Sequence, residues 1–488
     1  MKLHPLPYGL RPIPDDKLLQ PKWILDFAGS NGHTIDEAEK STATISTVKK
    51  GHEMSNEAPL EERSKEPKSH DDVNNHDIIP LENGITVTVT NNERITPEDH
   101  WQDVRLVKLE TNAIIPYSPG DAIAIQPKNS SEDVEHLIRL MGWGHVADRL
   151  IEFRFNHSSK DYHNGKTNGN IQRKSLPPSF SFIAFGAPLT LRKLITNYLD
   201  IMSIPRRSFF SIIAHFTTDR YQKERLLEFT DPNYLDELYD YTSRPRRSIL
   251  EVLQEFTSVK ISWQWAAHVL PFMRSRQFSI ASGGVLKSSD LSPSSPSFSS
   301  SVPLRSPPDS SHVTGTTRFE LLVAIVKYKT VIKKIRQGVC TRYIAALQPG
   351  QMLSVTLHKG GLRYSSADEE TKPALMVAPG TGVAPMRALI YERLALVQGC
   401  SDDRPGYDNA SNQSPRYTSE TVLFFGCRNE SADYFFRNEW DKIIRESNKQ
   451  EKKDVVKAFK FQVFPAFSRD QVSFQSFLIS VAEKSARR

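Results

Sequence analysis

The sequence predicts a multidomain protein of mixed α+β and α/β class: an antiparallel β-barrel interrupted by a helical insertion, then a partial doubly wound α/β domain. Three observations predict it. The 488 residues exceed one ordinary domain. Short runs of alternating apolar and polar residues, separated by turn signals, occupy 84–126 and resume at 276. The last third alternates strand and helix patterns as βαβαβ, the signature of a parallel sheet.

Composition narrows the class further. Hydrophobic residues make up 38% of the chain and charged residues 25%, enough for a sizeable core. No apolar run approaches the roughly 18 to 20 residues of a membrane helix. The amino terminus lacks the apolar stretch of a secretory signal. Three cysteines (Cys340, Cys400, Cys427), with no CxxC pair, exclude a disulfide scaffold and point to a reducing compartment. The net charge of +6 is mild and no basic stripe is concentrated enough to predict a nucleic-acid partner.

Residues 1–29 are Pro-rich and read as a linker ending in the apolar patch Trp23-Ile24-Leu25. Residues 30–80 are too polar to offset the entropy of ordering and read as a disordered insertion. The barrel is expected over 81–370. Ile85, Val87 and Val89 alternate with Thr86, Thr88 and Thr90; Val104–Leu109 and Asp121–Ile125 are further strands, the latter entered through Pro119-Gly120. The helical insertion covers 131–270. Val134, Leu137, Ile138 and Met141 fall at helical spacing, as do Leu191, Leu194, Ile195 and Leu199, and again Ile249, Val252, Leu253 and Phe256. A loop at 157–178 is polar. Strands resume at 276–282. A Ser/Pro-rich loop spans 285–316, and Arg318–Lys327 reads as one long strand. A short helix over 338–347 and a strand over 352–357 complete the barrel. The α/β domain, 371–488, reads as strand 374–378, helix 384–397, polar insertion 400–419, strand 421–426, helix 431–446 and strand 459–465.

Three motifs carry chemistry. Met376–Pro385 runs from an apolar strand through Gly380-Thr381-Gly382 into a helix with Met386, Leu389, Ile390, Leu394 and Val397 on one face. Glycines let a ligand approach the backbone, and the first N–H groups of a helix favour an anion. Alone, this reads more readily as an ordinary tight βα turn, and Pro385 stands where the usual fingerprint has a small residue. Arg276-Gln277-Phe278-Ser279 puts an arginine and an aromatic on one strand face and Ser279 on the other. An arginine can pair with a diphosphate and an aromatic can stack on a flat ring; the plain alternative is an edge strand with an exposed arginine and a core phenylalanine. Gly338-Val339-Cys340-Thr341 opens a helix and is a second possible phosphate cradle or simply an N-cap, with Cys340 a small buried residue. No nucleophile triad or metal cluster is visible.

The order of these parts resembles the ferredoxin–NADP reductase superfamily in its diflavin-reductase branch. The connecting segments 116–129, 204–219, 239–256, 276–284 and 424–440 most resemble the fungal-type NADPH-dependent diflavin oxidoreductases of cytosolic iron–sulfur protein assembly. The resemblance implies an FR-type FAD barrel and a Rossmann-like NADPH domain. Arg276 would bind the FAD diphosphate, with Gln277 beside it, Phe278 would stack on the flavin, and Ser279 would be the catalytic group near its reactive edge. Gly338, Val339, Cys340 and Thr341 would cradle the diphosphate, with Arg246 a further contact. Gly380, Thr381 and Gly382 would contact NADPH, and Ser468-Arg469 would grip its 2′-phosphate. An anamorsin-type iron–sulfur protein would be the partner, in the cytosol, with mitochondria a second location.

Two departures accompany the resemblance. The family's amino-terminal FMN domain has no counterpart before residue 5. The similarity also stops after Gln471, where the family's Lys-x-Tyr-x-Gln and Cys-Gly-Asp segments and terminal aromatic are replaced by 472–488. The expectation is an NADPH-to-FAD reductase lacking FMN and the end of its NADPH domain. The competing readings are a cytochrome or sulfite reductase flavoprotein and a non-catalytic FAD-binding fragment.

Overall fold

The computed structural model describes residues 23–28, 78–155, 188–288, 315–362, 372–399, 417–451 and 457–470. Most of the 30–80 insertion, the 157–178 loop, most of the Ser/Pro-rich loop, most of the 400–419 insertion and residues 471–488 lie outside these. The chain divides into two compact units, Met1–Ile78 with Asn129–Met273, and Ile79–Lys128 with Arg274–Arg488.

Along the chain the elements are β1 (Trp23–Phe27), β2 (Ile85–Arg94), β3 (Val104–Thr111), β4 (Ala122–Ile125), α1 (Ser131–Met141), β5 (Ile151–Phe155), α2 (Leu191–Asn197), α3 (Arg207–Ile213), α4 (Arg220–Glu228) and α5 (Ile249–Glu255). They continue as β6 (Arg276–Ser279), β7 (Thr317–Ala324), β8 (Lys327–Lys329), β9 (Ile335–Gln337), α6 (Val339–Ala346), β10 (Met352–His358), β11 (Ala374–Pro379), α7 (Val383–Gly399), β12 (Tyr417–Cys427), α8 (Arg437–Glu451) and β13 (Lys457–Phe467).

The first unit is mainly helical. Ser130 caps α1 by accepting from the Asp133 N–H, and Gly142 closes it at φ 75°. A capping box of Ser248 and Glu251 starts α5. All twelve apolar residues that the helical spacing singles out are buried. The Trp23–Leu25 patch forms β1, which pairs antiparallel with β5, a strand hidden in the sequence by the adjoining polar loop.

In the second unit six antiparallel strands are ordered β6-β4-β10-β2-β3-β7. The bridge Ile280↔Leu321 brings the end of β6 back to β7, so the barrel is nearly closed. Period two is obeyed: Val87 and Val89 are buried with Val107, Leu109 and Phe319. The expected single strand over 318–327 is instead two. β7 ends at Ala324, where burial stops, and β8 turns back on β9 as an exposed hairpin.

Within the same unit, β11, β12 and β13 form a parallel sheet in that order. Met376, Ala378, Leu423 and Phe425 of one face pack with Val383 and Ile390 of α7 and with Trp440 and Ile443 of α8. On the other face Leu375 and Val377 are 71% and 66% exposed. The expected helix 431–446 is broken. A single turn at Glu430–Asp433 precedes α8, and Phe436 between them has φ 62°.

Candidate functional site

The carboxyl edge of a parallel sheet is where ligand turns gather, because each strand there hands over to a loop and a helix start. Here Pro379 is in register with Gly426, and Cys427 with Phe467. The three strand ends therefore deliver Gly380–Gly382, Arg428 and Ser468-Arg469 to one edge. Gly380 has φ 53°, a conformation that favours glycine, and a Cβ there would meet nothing within 4 Å. A Cβ on Gly382 would meet only Pro379 at 3.6 Å, and one on Gly426 only Pro379 at 3.9 Å. The three glycines thus border open space beside the start of α7. Thr381 is half-buried between them.

Ser468 and Arg469 are exposed. Their N–H groups donate to the carbonyls of Cys427 and Arg428, both at 2.9 Å. That pairing sets Arg428 beside Arg469, a neighbour the sequence reading passed over. The Arg428 guanidinium lies over the Trp101 ring, 4.1 Å from its centroid. Asp433 accepts from the N–H of Arg428 and Asp470 from that of Glu430, which fixes this loop. Two arginines and a hydroxyl at one strand edge suit a phosphate dianion. Position alone, directly after a parallel strand, was the signal for Arg428.

The second group is built on β6. Alternation holds there: Arg276 and Phe278 are half-buried on one face, while Gln277 and Ser279 are exposed on the other. Phe278 packs on the barrel core, and the Arg276 guanidinium donates to the Arg274 carbonyl. The Gly338 turn precedes α6. Burial pushes the Cys340 thiol up to about 12, while the charge of Arg276 pulls it down, so strand and turn share one electrostatic neighbourhood. Cys340 is therefore a packed thiol with no nucleophilic character. The Thr341 hydroxyl accepts from the Val326 N–H at 3.1 Å and donates to the Gly338 carbonyl at 3.3 Å. It closes the turn from within, and what this turn offers a ligand is backbone: Gly338 makes no side-chain cap to the helix N–H groups. The N–H of Gly338 itself donates to Val326.

Arg246 belongs to the other compact unit. It is exposed, and its backbone sits at φ 54°, a left-handed conformation that costs a non-glycine residue roughly 1 to 2 kcal/mol. Strain of this kind gathers at functional positions.

These features fit two dinucleotides. The β6 face with its arginine and aromatic, next to a helix start with open N–H groups, suits FAD. The glycine-bordered turn with the cationic edge suits a nicotinamide dinucleotide. Among the described residues no group of His, Cys, Asp and Glu is arranged to hold a metal, and no helix is long and apolar enough to cross a membrane.

Comparison with known proteins agrees with this division. Residues 80–292 match the family model described as FAD binding domain, and residues 376–476 the one described as Oxidoreductase NAD-binding domain. The chain is 43% identical over 468 residues to the NADPH-dependent diflavin oxidoreductase 1 of Aspergillus fumigatus, covering 96% of this chain and 61% of the relative. To that of Emericella nidulans it is 42% identical, with the same coverage. To that of Xenopus laevis it is 31% identical over 477 residues, again 96% and 61%. The chain therefore spans about 61% of the length of these relatives. The motifs, the barrel followed by a parallel sheet, and these similarities agree: the chain joins a FAD binding domain to an Oxidoreductase NAD-binding domain and is similar, along nearly its whole length, to NADPH-dependent diflavin oxidoreductases over the part of them that it spans.

Proposed function

We propose that this chain takes hydride from NADPH onto FAD and passes the electrons onward singly. The observation that carries the reading is the presence, in one compact unit, of the Arg276–Ser279 strand with its Gly338 turn and of the glycine-bordered turn at Gly380. Bound FAD would supply a ring system that accepts electrons in pairs and releases them one at a time.

The residues supply position and electrostatics. Arg276 and the N–H groups of Val339 and Cys340 would neutralise and hold a diphosphate. Phe278 would offer its ring to a flat heterocycle on the same strand face. Ser279 projects to the opposite face and carries a hydroxyl with both donor and acceptor capacity. Gly380 and Gly382 let the nicotinamide dinucleotide approach the backbone, and Arg428, Ser468 and Arg469 would distinguish a 2′-phosphate from a bare hydroxyl.

For the acceptor we retain an anamorsin-type iron–sulfur protein, in cytosolic iron–sulfur cluster assembly, with FMN as the family's relay. The resemblance of the connecting segments supports this reading over the cytochrome and sulfite reductase flavoproteins. The test is anaerobic mixing of the FAD-loaded chain with NADPH or NADH. Bleaching of the flavin band by NADPH in preference to NADH is expected. A flavin that stays oxidised with both overturns the reading. Comparing iron–sulfur, cytochrome and sulfite reductase acceptors then decides the onward step.

A further inference from the structure

A buried cation on α7 lies outside every role described so far. Arg387 sits on the first turns of α7 and is 3% exposed. Its Nη1 donates to the Ala281 carbonyl at 3.0 Å and to Glu320 of β7 at 2.7 Å. Its Nε and Nη2 donate to the two carboxylate oxygens of Glu439 on α8, at 2.7 and 2.9 Å. The guanidinium also lies over the Phe436 ring at 4.4 Å. Glu320 is itself 2% exposed and receives Lys108 at 3.5 Å, while Glu439 receives the Tyr391 hydroxyl at 3.0 Å. Two cations and two carboxylates balance in a closed network.

What the network ties together is specific. Ala281 lies two residues beyond Ser279, and its N–H donates to the Glu320 carbonyl at 2.7 Å. Arg387 lies five residues beyond Gly382. The segment after Ala281 is pressed onto the same helix: a Cβ on Gly283 would stand 2.0 Å from the Ala388 carbonyl oxygen, and one on Gly284 2.3 Å from that of Tyr391. The Gly284 N–H donates to Glu392 at 2.8 Å, and Lys287 pairs with the same carboxylate at 2.8 Å. Ion pairs this deep are poor stabilisers, because desolvation consumes most of what attraction returns. Their contacts are directional, however, and admit one register where an apolar contact would tolerate sliding.

We infer that Arg387 is a positioning residue: it latches the helix that opens on the nicotinamide turn to the strand end that carries Ser279, and so fixes the separation of the two reacting ligands. This rests on the function proposed above.

The test uses the FAD-loaded chain and its Arg387→Lys variant, which keeps the charge and loses the multidentate fork. NADP⁺ affinity, flavin content, the single-turnover rate of flavin reduction by NADPH, and amide hydrogen exchange over 281–287 are measured for both. The variant is expected to keep its flavin and to bind NADP⁺ within about threefold of the native chain, while reducing its flavin about tenfold to a hundredfold more slowly. Exchange over 281–287 is expected to rise about tenfold as the latch opens. A folded variant with native exchange and native reduction rate overturns the inference, as does a rate loss matched by the loss of NADP⁺ affinity. Should Arg387→Lys fail to fold, Glu439→Gln, at the exposed side of the network, carries the same comparison, with smaller changes in the same two readouts expected. If the native chain itself does not reduce its flavin, the proposed function falls, and the exchange comparison still decides the latch.

Discussion

At the scale of single residues, Arg276 and Phe278 share a strand face but contribute differently to holding a flavin. Replacing the guanidinium leaves a diphosphate without a charge-assisted partner, a loss of roughly 1.5 to 3 kcal/mol. Phe278→Leu keeps most of the apolar contact and loses ring stacking, about 1 kcal/mol. Arg276→Ala is therefore expected to lose more FAD than Phe278→Leu on gel filtration, and equal flavin content in the two would refute the ranking. Arg246 offers the complementary case. Its left-handed backbone makes Arg246→Gly stabilising by about 1 kcal/mol in denaturant unfolding of the flavin-free chain. A variant that loses stability would mean that the φ of Arg246 carries no strain. Arg276 was legible from sequence as an arginine beside an aromatic and a hydroxyl, whereas Arg246, within Arg244-Pro245-Arg246-Arg247-Ser248, was singled out only by the family resemblance. The φ of Arg246 and the charge of Arg276 acting on Cys340 were not legible, because neither leaves a mark in composition or periodicity.

At the scale of elements, periodicity found nearly everything that has a single buried face. The twelve apolar positions marked at helical spacing in the first unit are all buried, and the strand alternation of β2 and β6 holds. It failed where burial has two sides or none. In α7 a single apolar stripe was expected, yet of its described members only Ile390 is buried while Met386, Leu389 and Leu394 are half-buried, and Val383, Ala384, Arg387, Ala388 and Arg393 are buried as well, because the helix meets both the parallel sheet and the 283–287 segment. Arg387 was invisible because a buried arginine has no apolar signature. The β8–β9 hairpin was missed for the opposite reason: its strands are exposed and its apolar residues have nothing to alternate against. Two glycines separate these situations experimentally. Gly283→Ala forces a Cβ into the backbone of α7 and is expected to cost about 1 to 3 kcal/mol of stability, read from the denaturation midpoint. Gly380→Ala meets open space and bears only the cost of its positive φ, about 1 to 2 kcal/mol, but it places a methyl where the dinucleotide should lie. Its NADP⁺ affinity is expected to fall about tenfold or more, about 1.4 kcal/mol, with Gly283→Ala changing affinity less. The reverse pattern would remove Gly380 from the site.

For the molecule as a whole, the buried acids set how stability answers to pH. Burial pushes Cys340 up to about 12, and burial followed by the charge of Asp433 does the same for Cys427. Tyr198, raised by burial, and Tyr434, raised by burial and then by Asp441, also rise to about 12. In each case the folded chain holds a proton that the unfolded chain gives up earlier, with ordinary values of about 8.5 for a thiol and 10 for a phenol. Between those values and 12 the folded state binds more protons than the unfolded one, so the free energy of unfolding must fall as pH rises. Full stability is kept below about pH 8.5, and the thiols contribute to the loss before the tyrosines. The expected result is a denaturation midpoint that is level from neutral pH to about 8.5 and then declines steadily. In a Cys400→Ser chain, which leaves only the two buried thiols, maleimide labelling at pH 8 should proceed far more slowly than for a free cysteine, since the thiolate is scarce and covered. Rapid labelling of both, or a midpoint that climbs above pH 9, would show that these side chains are reached by water and that the cores around β12 and α6 are looser than their packing indicates.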